Sequence, residues 1–266
     1  MLPIAERING MFKDVRQAIA EQDKSVIHDL AKRQTECGAA YLDVNVGTAA
    51  RDQIGAMKWL VETIQEAVKT PLALDSQKLE VVKAGLEVAQ NPILINSCQA
   101  DPEKLDVYFG LCKEHDASLI TLTMDKEGVS QDVAKRLENA MTIIEKAAEH
   151  GIGAERIFID PIVLPINVDQ RQPAMICEVI QQVRLMTDPP PHITCGLSNV
   201  SQGTRLRSLI NRTALVMFVA AGMDSAIVDV LDKDLMEAWI TVEMMLNKMI
   251  YSDDYIKAAL ASIRRG

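Results

Sequence analysis

The chain has 266 residues and a formal net charge of −9; nearly half of its residues are apolar and few are aromatic. This length suits one large α/β domain, because single (β/α)₈ barrels commonly run to about 250 residues. The acidic balance, without a cluster of Lys and Arg, excludes the basic stripe of a nucleic-acid-binding protein.

The amino-terminal segment does not read as an export signal, because Glu6 and Arg7 interrupt its apolar stretch. The longest apolar run, residues 214–223, is about half of the ~20 residues that span a bilayer. The five cysteines are widely spaced and form no Cys-x-x-Cys motif, which is typical of reduced thiols. We therefore expect a soluble cytoplasmic protein without a membrane span or a metal site.

Short β-branched runs alternate with longer amphipathic stretches along the chain, and this alternation predicts a parallel sheet covered by helices. The stretch before the third strand, for example, places apolar residues at helical spacing from Met57 to Val68. The eight predicted strands are Leu2–Ala5, Ala40–Val46, Leu72–Asp75, Ile93–Asn96, Ser118–Met124, Ile157–Asp160, Ile193–Leu197 and Ala226–Val230.

Eight strand–helix units without a linker or a shift in composition predict one (β/α)₈ TIM barrel that spans residues 1–266 as a single domain. A doubly wound parallel sheet is the alternative. The stretch Asp253–Arg264 is predicted as a helix beyond the eighth unit, on the outside of the barrel or at a dimer contact.

Polar residues end several of the apolar strands, where a barrel would place its active site. They are Asp43, Asn45, Asp75, Asn96, Asp160, Ser198 and Asn199. Each one alone is also explained as the start of a loop or the cap of the next helix. Because the same end of successive strands carries them, the set favours a shared polar pocket.

The chemistry of this set is that of a binding site for a flat heterocycle. An ionised carboxylate accepts two N–H bonds, and a carboxamide donates and accepts at once, which suits the edge of a pterin ring. No Ser-His-Asp or Cys-His grouping is recognisable, and the four histidines lie on predicted helices or enter a strand. Lys126, after strand five, leaves Schiff-base chemistry open but weakly indicated.

At these residues the sequence resembles the pterin-binding barrel family, most closely the methyltetrahydrofolate:corrinoid/iron–sulfur protein methyltransferases of acetyl-CoA synthesis. The resemblance covers essentially the whole chain. The motifs that carry it are ERING (6–10), LDVNVG (42–47), LDS (74–76), INS (95–97), IDPIVLP (159–165), GLSNVSQ (196–202) and LINR (209–212). The first motif of the family usually opens with Gly, whereas this chain has Ala5.

The resemblance implies roles for the strand-end residues. Asp75, Asn96 and Asp160 would hold the pterin edge, and Asn199 would lie beside N5, the nitrogen that carries the methyl group. The other residues expected to bind substrate are Asp43, Asn45, Ser198, Gln202 and Arg207. For Arg207 a plain solvent-facing arginine is an equal alternative.

The implied reaction moves the N5-methyl group of 5-methyltetrahydrofolate to the Co(I) centre of a corrinoid. The chain has no Asp-x-His-x-x-Gly corrinoid-binding motif, so the cobalamin or corrinoid is expected on a partner, a corrinoid/iron–sulfur protein of the reductive acetyl-CoA pathway. The resemblance also suggests a homodimer, with a Met-rich face at Met236, Met244, Met245 and Met249 as a candidate contact or simply helix core.

Two alternatives stay open. A dihydropteroate-synthase-like enzyme would present a lysine at the seventh strand, where this chain has Ser198 and Asn199. A non-catalytic folate-binding protein would bind methyltetrahydrofolate without any reaction at cobalt.

Overall fold

A computed structural model describes residues 1–48, 50–251 and 255–257 of the chain. The strands in this part are β1 (Leu2–Asn9), β2 (Tyr41–Asn45), β3 (Leu72–Asp75), β4 (Ile93–Gln99), β5 (Ser118–Leu122), β6 (Ile157–Asp160), β7 (His192–Ile193) and β8 (Ser225–Val228). They form one parallel sheet in which neighbours follow chain order and β1 also pairs with β8.

The sheet closes between its last two strands. The backbone N–H of Ile227 donates to the carbonyl of Cys195 at 2.9 Å, and that of Asp224 donates to Ile193 at 3.3 Å. A parallel bridge also joins Gly196 to Ile227. The predicted (β/α)₈ barrel is therefore confirmed, and the doubly wound alternative is wrong.

Helices surround this barrel on the outside. In the described residues they are α1 (Lys13–Glu21), α2 (Lys24–Glu36), α3 (Gln53–Ala67), α4 (Leu79–Val88), α5 (Pro102–His115), α6 (Val133–Glu149), α7 (Gln172–Val183), α8 (Arg207–Ala221) and α9 (Lys233–Met245). None of these described helices is long and apolar enough to cross a membrane.

Five of the helices begin at an aspartate whose side chain accepts a backbone N–H of the first turn, which satisfies an otherwise unpaired donor. These aspartates are Asp23, Asp52, Asp101, Asp132 and Asp232. None of them is a strand-end residue, so capping is done by a separate set of aspartates.

The predicted strand bounds hold for β3 and β6 and shift elsewhere. Strand β1 continues beyond Ala5 to Asn9, and β4 continues beyond Asn96 to Gln99. Strand β7 is shorter than predicted, because residues 197–201 turn into a 3₁₀ helix. The helix predicted at Asp253–Arg264 lies outside the described residues, except for residues 255–257.

Alternation along the strands gives the barrel two separate apolar layers, because successive side chains of a strand point to opposite faces. Side chains that face the helices form the large outer core. A smaller cluster fills the barrel interior, and its buried members are Ile4, Ala73, Leu94, Ile120 and Phe158. We call this cluster the plug. The interior is thus a solid floor rather than a pore.

A buried arginine organises the loop after β6. Arg136 of α6 is fully buried and donates from Nε to the carbonyl of Ser130 at 2.8 Å and from Nη1 to that of Ile162 at 2.7 Å. The Nη1 group also bonds the carbonyl of Pro161. The guanidinium therefore satisfies carbonyls that the end of β6 leaves without sheet partners.

We expect Arg136→Met to lower the free energy of unfolding by about 3 kcal/mol, because methionine fills the space but leaves these buried carbonyls unpaired. Urea denaturation measures the change. The control is Arg33→Met on α2, an exposed arginine beside the exposed Asp29, for which the change should stay within about 0.5 kcal/mol. Equal, small effects of the two substitutions would contradict this assignment.

Candidate functional site

A ring of polar side chains lies directly above the plug, at the end of the barrel where the strands terminate. We call this end the mouth. Strand alternation directs Glu6, Asp43, Asp75, Asn96 and Asp160 inward at the level above the plug. Asp43, Asn96 and Asp160 are buried, and Glu6 and Asp75 are largely so. The structure therefore brings these polar strand-end side chains to the same end of the barrel, and their role in binding a ligand stays a prediction.

Hydrogen bonds orient the amides within the ring. Asn45 Nδ2 donates to Asp75 Oδ2 at 2.6 Å, and Asn96 Nδ2 donates to Asp43 Oδ1 at 3.0 Å. The backbone N–H of Gly47 donates to Asn45 Oδ1 at 2.7 Å, which fixes the opposite side of that amide. Each carboxylate keeps a second oxygen that can accept from a ligand.

Two glycines allow the first two loops of the mouth to approach each other. A Cβ at Gly10 would lie 2.2 Å from the carbonyl oxygen of Val46, and Gly47 adopts a φ of +72°. The N–H of Gly10 in turn donates to the carbonyl of Asn45 at 2.8 Å. This close approach holds Asn45 against β1 and needs residues without side chains.

The carboxyl of Asp160 accepts two backbone hydrogen bonds. Its Oδ1 accepts the backbone N–H of Ile162 at 2.6 Å, and the N–H of Gly196 also bonds it. Burial raises the pKa of Asp160 to about 6, while these two N–H groups and the charge of Arg136 oppose the rise. At neutral pH the carboxylate is therefore ionised but close to protonation.

Asp43 and Asp75 share one side of the ring and disfavour each other's charge. Burial and the neighbouring Asp75 raise the pKa of Asp43 well above its usual range. Burial likewise raises the pKa of Asp75, against the hydrogen bond from Asn45. A carboxyl that keeps its proton can donate to a ring nitrogen, so this pair offers both donors and acceptors.

Glu6 belongs to the ring although the strand-end argument did not select it. Burial, followed by the charge of Asp229, raises the pKa of Glu6 to about 7. Ser198 Oγ donates to Glu6 Oε2 at 3.3 Å. The residue was missed because β1 was predicted to stop at Ala5, one residue before it. Asp229 was missed for the opposite reason, because the eighth strand was predicted to continue to Val230, whereas β8 ends at Val228, directly before Asp229.

The segment after β7 carries the remaining predicted residues. Ser198 is partly buried, whereas Asn199, Gln202 and Arg207 are exposed. Arg207 donates from Nε to Ser201 Oγ at 3.2 Å and from Nη2 to the carbonyl of Ser198 at 3.3 Å. Arg207 is thus an exposed arginine that also hydrogen-bonds to this segment, and its contact with a substrate stays a prediction.

The Asn199 side chain lies against Gly196, since a Cβ added to Gly196 would come within 3.0 Å of Asn199 Nδ2. Gly196 also supplies an N–H to Asp160. Gly196 thus lies between Asn199 and the Asp160 carboxyl, and the Asn199 side chain is exposed. Gln202 lies on the same segment, further out.

The other candidate groups lie away from the ring. His28, His115 and His150 are on or at the ends of outer helices, and His192, where β7 begins, bonds Asp224 through Nδ1 at 2.9 Å. Lys126 is exposed and pairs with Asp101 at 3.4 Å. All five cysteines are unpaired, and no group of three metal-ligating side chains occurs among the described residues.

This arrangement fits a flat, nitrogen-rich ring that sits on an apolar floor. The plug offers a hydrophobic surface, and the ring above it contains carboxylates that are hydrogen-bonded to carboxamides. Such a set binds adjacent N–H donors and ring acceptors through charge-assisted and neutral hydrogen bonds.

Comparison with known proteins agrees with this chemistry. Residues 11–229 match the family described as pterin binding enzymes. The chain belongs to this family.

Two curated relatives are similar over most of this chain. The methylcorrinoid:tetrahydrofolate methyltransferase of Eubacterium limosum is 35% identical over 260 residues, which are 97% of this chain and 96% of that protein. The methionine synthase of Mycobacterium tuberculosis is 32% identical over 240 residues, which are 86% of this chain and 20% of that protein. The chain thus matches one full-length relative and about one fifth of the other.

Solved structures of the family share the fold. A dihydropteroate synthase from Coxiella burnetii with pteroic acid superposes with a TM-score of 0.65 at 15% identity, over 92% of this chain and 93% of that one. The enzyme from Xanthomonas albilineans gives 0.65 at 17%, over the same shares. At these identities the likeness establishes the barrel only.

The raised pKa of Asp160 makes stability depend on pH. The unfolded chain releases this proton near pH 3.8, whereas the folded protein keeps it to about pH 6. The stability contributed by the neutral carboxyl is therefore complete below pH 3.8 and is lost as the pH rises to about 6.

The substitution Asp160→Asn removes the titrating carboxyl and therefore the loss of stability that its ionisation causes. We expect urea denaturation of the ligand-free protein to show a gain of roughly 1–3 kcal/mol at about pH 7.5 and little change at about pH 4. Asp29→Asn, at an exposed carboxylate on α2, should change neither value. A loss of stability at neutral pH would contradict the burial of an ionised Asp160.

Proposed function

We propose that this protein transfers a methyl group between N5 of tetrahydrofolate and the cobalt of a corrinoid that a partner protein carries. The observation that carries the proposal is the ring of Asp43, Asp75, Asn96 and Asp160 above the plug, in a chain that matches a methylcorrinoid:tetrahydrofolate methyltransferase almost end to end.

Different observations support the positions proposed for the two substrates. The pterin ring would lie on the plug, with its edge bonded by Asp75, Asn96 and Asp160 and its N5 toward Asn199. The corrinoid would approach from outside, because the chain lacks a corrinoid-binding motif and Asn199, Gln202 and Arg207 form the open side of the pocket. Asp43, Asn45 and Ser198 would orient these groups through the hydrogen bonds described above.

The chemistry is a displacement at the methyl carbon. Reduced Co(I) donates the electron pair that forms the cobalt–carbon bond, and the pair of the broken C–N bond stays on N5. An uncharged tertiary amine leaves poorly, so a hydrogen bond or a proton at N5 stabilises the transition state more than the bound substrate. The Asn199 amide would donate this hydrogen bond, and because it is neutral it cannot itself supply the proton.

We further propose that 5-methyltetrahydrofolate is the methyl donor and that the partner is a corrinoid/iron–sulfur protein of the reductive acetyl-CoA pathway. This direction and partner rest on the family resemblance of the motifs. The name of the Eubacterium limosum relative places the methyl group first on the corrinoid, which is the reverse direction of the same displacement. Assays in both directions with the two kinds of corrinoid protein distinguish these cases.

The experiment that tests the function is anaerobic stopped-flow absorbance. Co(I) cobalamin or a reduced corrinoid protein is mixed with the enzyme and 5-methyltetrahydrofolate. Loss of the Co(I) band with formation of methylcobalt supports the methyltransferase. An unchanged band, alongside tight folate binding, would instead indicate a folate-binding protein or another pterin enzyme.

Asn199 and Asp160 should affect different steps. Asn199→Ala should lower the single-turnover rate by about 10- to 100-fold and change the dissociation constant for folate by less than about threefold. Asp160→Ala removes an anchor of the pterin edge and should weaken folate binding by about tenfold or more. Equal losses of rate and affinity for Asn199→Ala would contradict its role beside N5.

The homodimer stays a prediction. Met236 is buried in the outer core, whereas Met245 is 74% exposed, so the Met-rich face divides between core and surface. Leu246 and Tyr251 are also exposed nearby in sequence. We propose that this end of α9 and the residues after it supply the contact between protomers.

A further inference from the structure

One acidic group of the mouth has no role in holding the pterin edge. The Glu6 carboxyl lies at the end of β1, largely buried, and its side-chain partner among the described residues is the Ser198 hydroxyl at 3.3 Å. The groups that face it are Asp43 on β2, Asp229 after β8 and Arg207 on α8. Two carboxylates and one guanidinium thus surround it, without a direct ion pair.

The other carboxyls of the ring accept hydrogen bonds from backbone N–H groups or from side-chain amides. Asp160 accepts from two backbone N–H groups, Asp43 accepts from Asn96, and Asp75 accepts from Asn45. These donors cannot carry a proton onward. Ser198 differs, because a hydroxyl donates and accepts at the same time and can pass a proton from one neighbour to the next.

Ser198 also connects Glu6 to the reacting side of the pocket. It directly precedes Asn199, and Arg207 holds its carbonyl at 3.3 Å. We propose that Glu6 is the proton-holding residue of this site, which delivers a proton through the Ser198 hydroxyl, and solvent beside Asn199, to N5 as the methyl group leaves. This inference rests on the proposed methyl transfer and names the group that supplies its proton.

The step balances in both directions. When methyl leaves N5 for Co(I), the electron pair released on nitrogen takes a proton, Glu6 becomes a carboxylate, and solvent reprotonates it afterwards. When a methylcorrinoid donates its methyl group to tetrahydrofolate, the Glu6 carboxylate accepts the N5 proton as the C–N bond forms, and cobalt keeps the pair of the cobalt–carbon bond. No further oxidant or reductant takes part.

The raised pKa of Glu6, about 7, agrees with this geometry because a group that donates and accepts near neutral pH needs both forms populated. Below pH 7 the neutral carboxyl donates, so transfer from methyltetrahydrofolate is fast. Above pH 7 the carboxylate accepts, so transfer from the methylcorrinoid is fast. The two directions should therefore depend on pH with opposite sign.

The test measures single-turnover rates in both directions between about pH 5.5 and 8.5, which brackets this pKa. In the wild-type protein the rate from methyltetrahydrofolate should fall toward a slope of about tenfold per pH unit above pH 7, and the reverse rate should rise. Glu6→Gln should lose this ionisation from both profiles and lower the rates by about tenfold or more.

Two further variants distinguish an effect on proton transfer from a general loss of folded protein. Ser198→Ala keeps the carboxyl but removes the relay hydroxyl, so it should lower both rates as Glu6→Gln does. The remaining activity should titrate at higher pH, because the lost hydrogen bond lowers the pKa of Glu6. Glu178→Gln changes an exposed glutamate on α7 and should leave both profiles as in the wild type. Circular dichroism and the dissociation constant for tetrahydrofolate confirm that each variant is folded and binds substrate.

A second readout does not depend on turnover. Infrared difference spectra of the ligand-free protein should contain a protonated-carboxyl band that titrates near pH 7 and is absent in Glu6→Gln. A Glu6→Gln variant that transfers methyl groups with the wild-type pH profile, or that keeps this band, would overturn the inference and leave the methyltransferase intact. A wild-type protein that transfers no methyl group would overturn both.

Discussion

The structure depends on the burial of carboxyl groups at the mouth of the barrel, directly above the apolar plug. Removing a carboxylate from water is costly unless donors replace the lost hydration. Around Asp160 the replacement comes from backbone N–H groups and the field of Arg136, and around Asp75 it comes from Asn45. The replacement is incomplete, so the pKa values of the ring carboxyls stay raised. The edge of a pterin ring would supply the hydrogen-bond donors that these carboxyls lack.

The surrounding architecture keeps the carboxyls in place before a ligand arrives. The plug prevents the interior from collapsing or filling with water, and barrel closure between β7 and β8 fixes the spacing of the strand ends. Gly10 and Gly47 bring two mouth loops together, and Arg136 ties the loop after β6 to α6.

Much of this site follows from sequence, because strand periodicity and strand ends are local properties. The apolar runs ending in Asp75 and Asp160 gave correct strand bounds, and the joint occurrence of polar strand ends indicated the pocket. The extension of β1 to Glu6 was missed, since a charged residue inside a strand contradicts the apolar pattern unless it points into a polar mouth. The seventh strand was predicted to end at Leu197, whereas β7 ends at Ile193, because the mainly apolar residues 194–197 also fit a strand pattern. Arg136 gave no signal, as its partners are backbone carbonyls 25 and 26 residues away.

Two groups of aspartates have different structural roles in this barrel. Asp23, Asp52, Asp101, Asp132 and Asp232 each close the first turn of a helix, while Asp43, Asp75 and Asp160 face the cavity. The segments that lead into these five helices are therefore anchored by aspartates that do not belong to the ring. Loops of different length and composition can be exchanged on such a scaffold while the pterin contacts persist. Under the proposed function, a change of corrinoid partner would require new residues in these loops only, and the residues proposed to bind folate would stay the same.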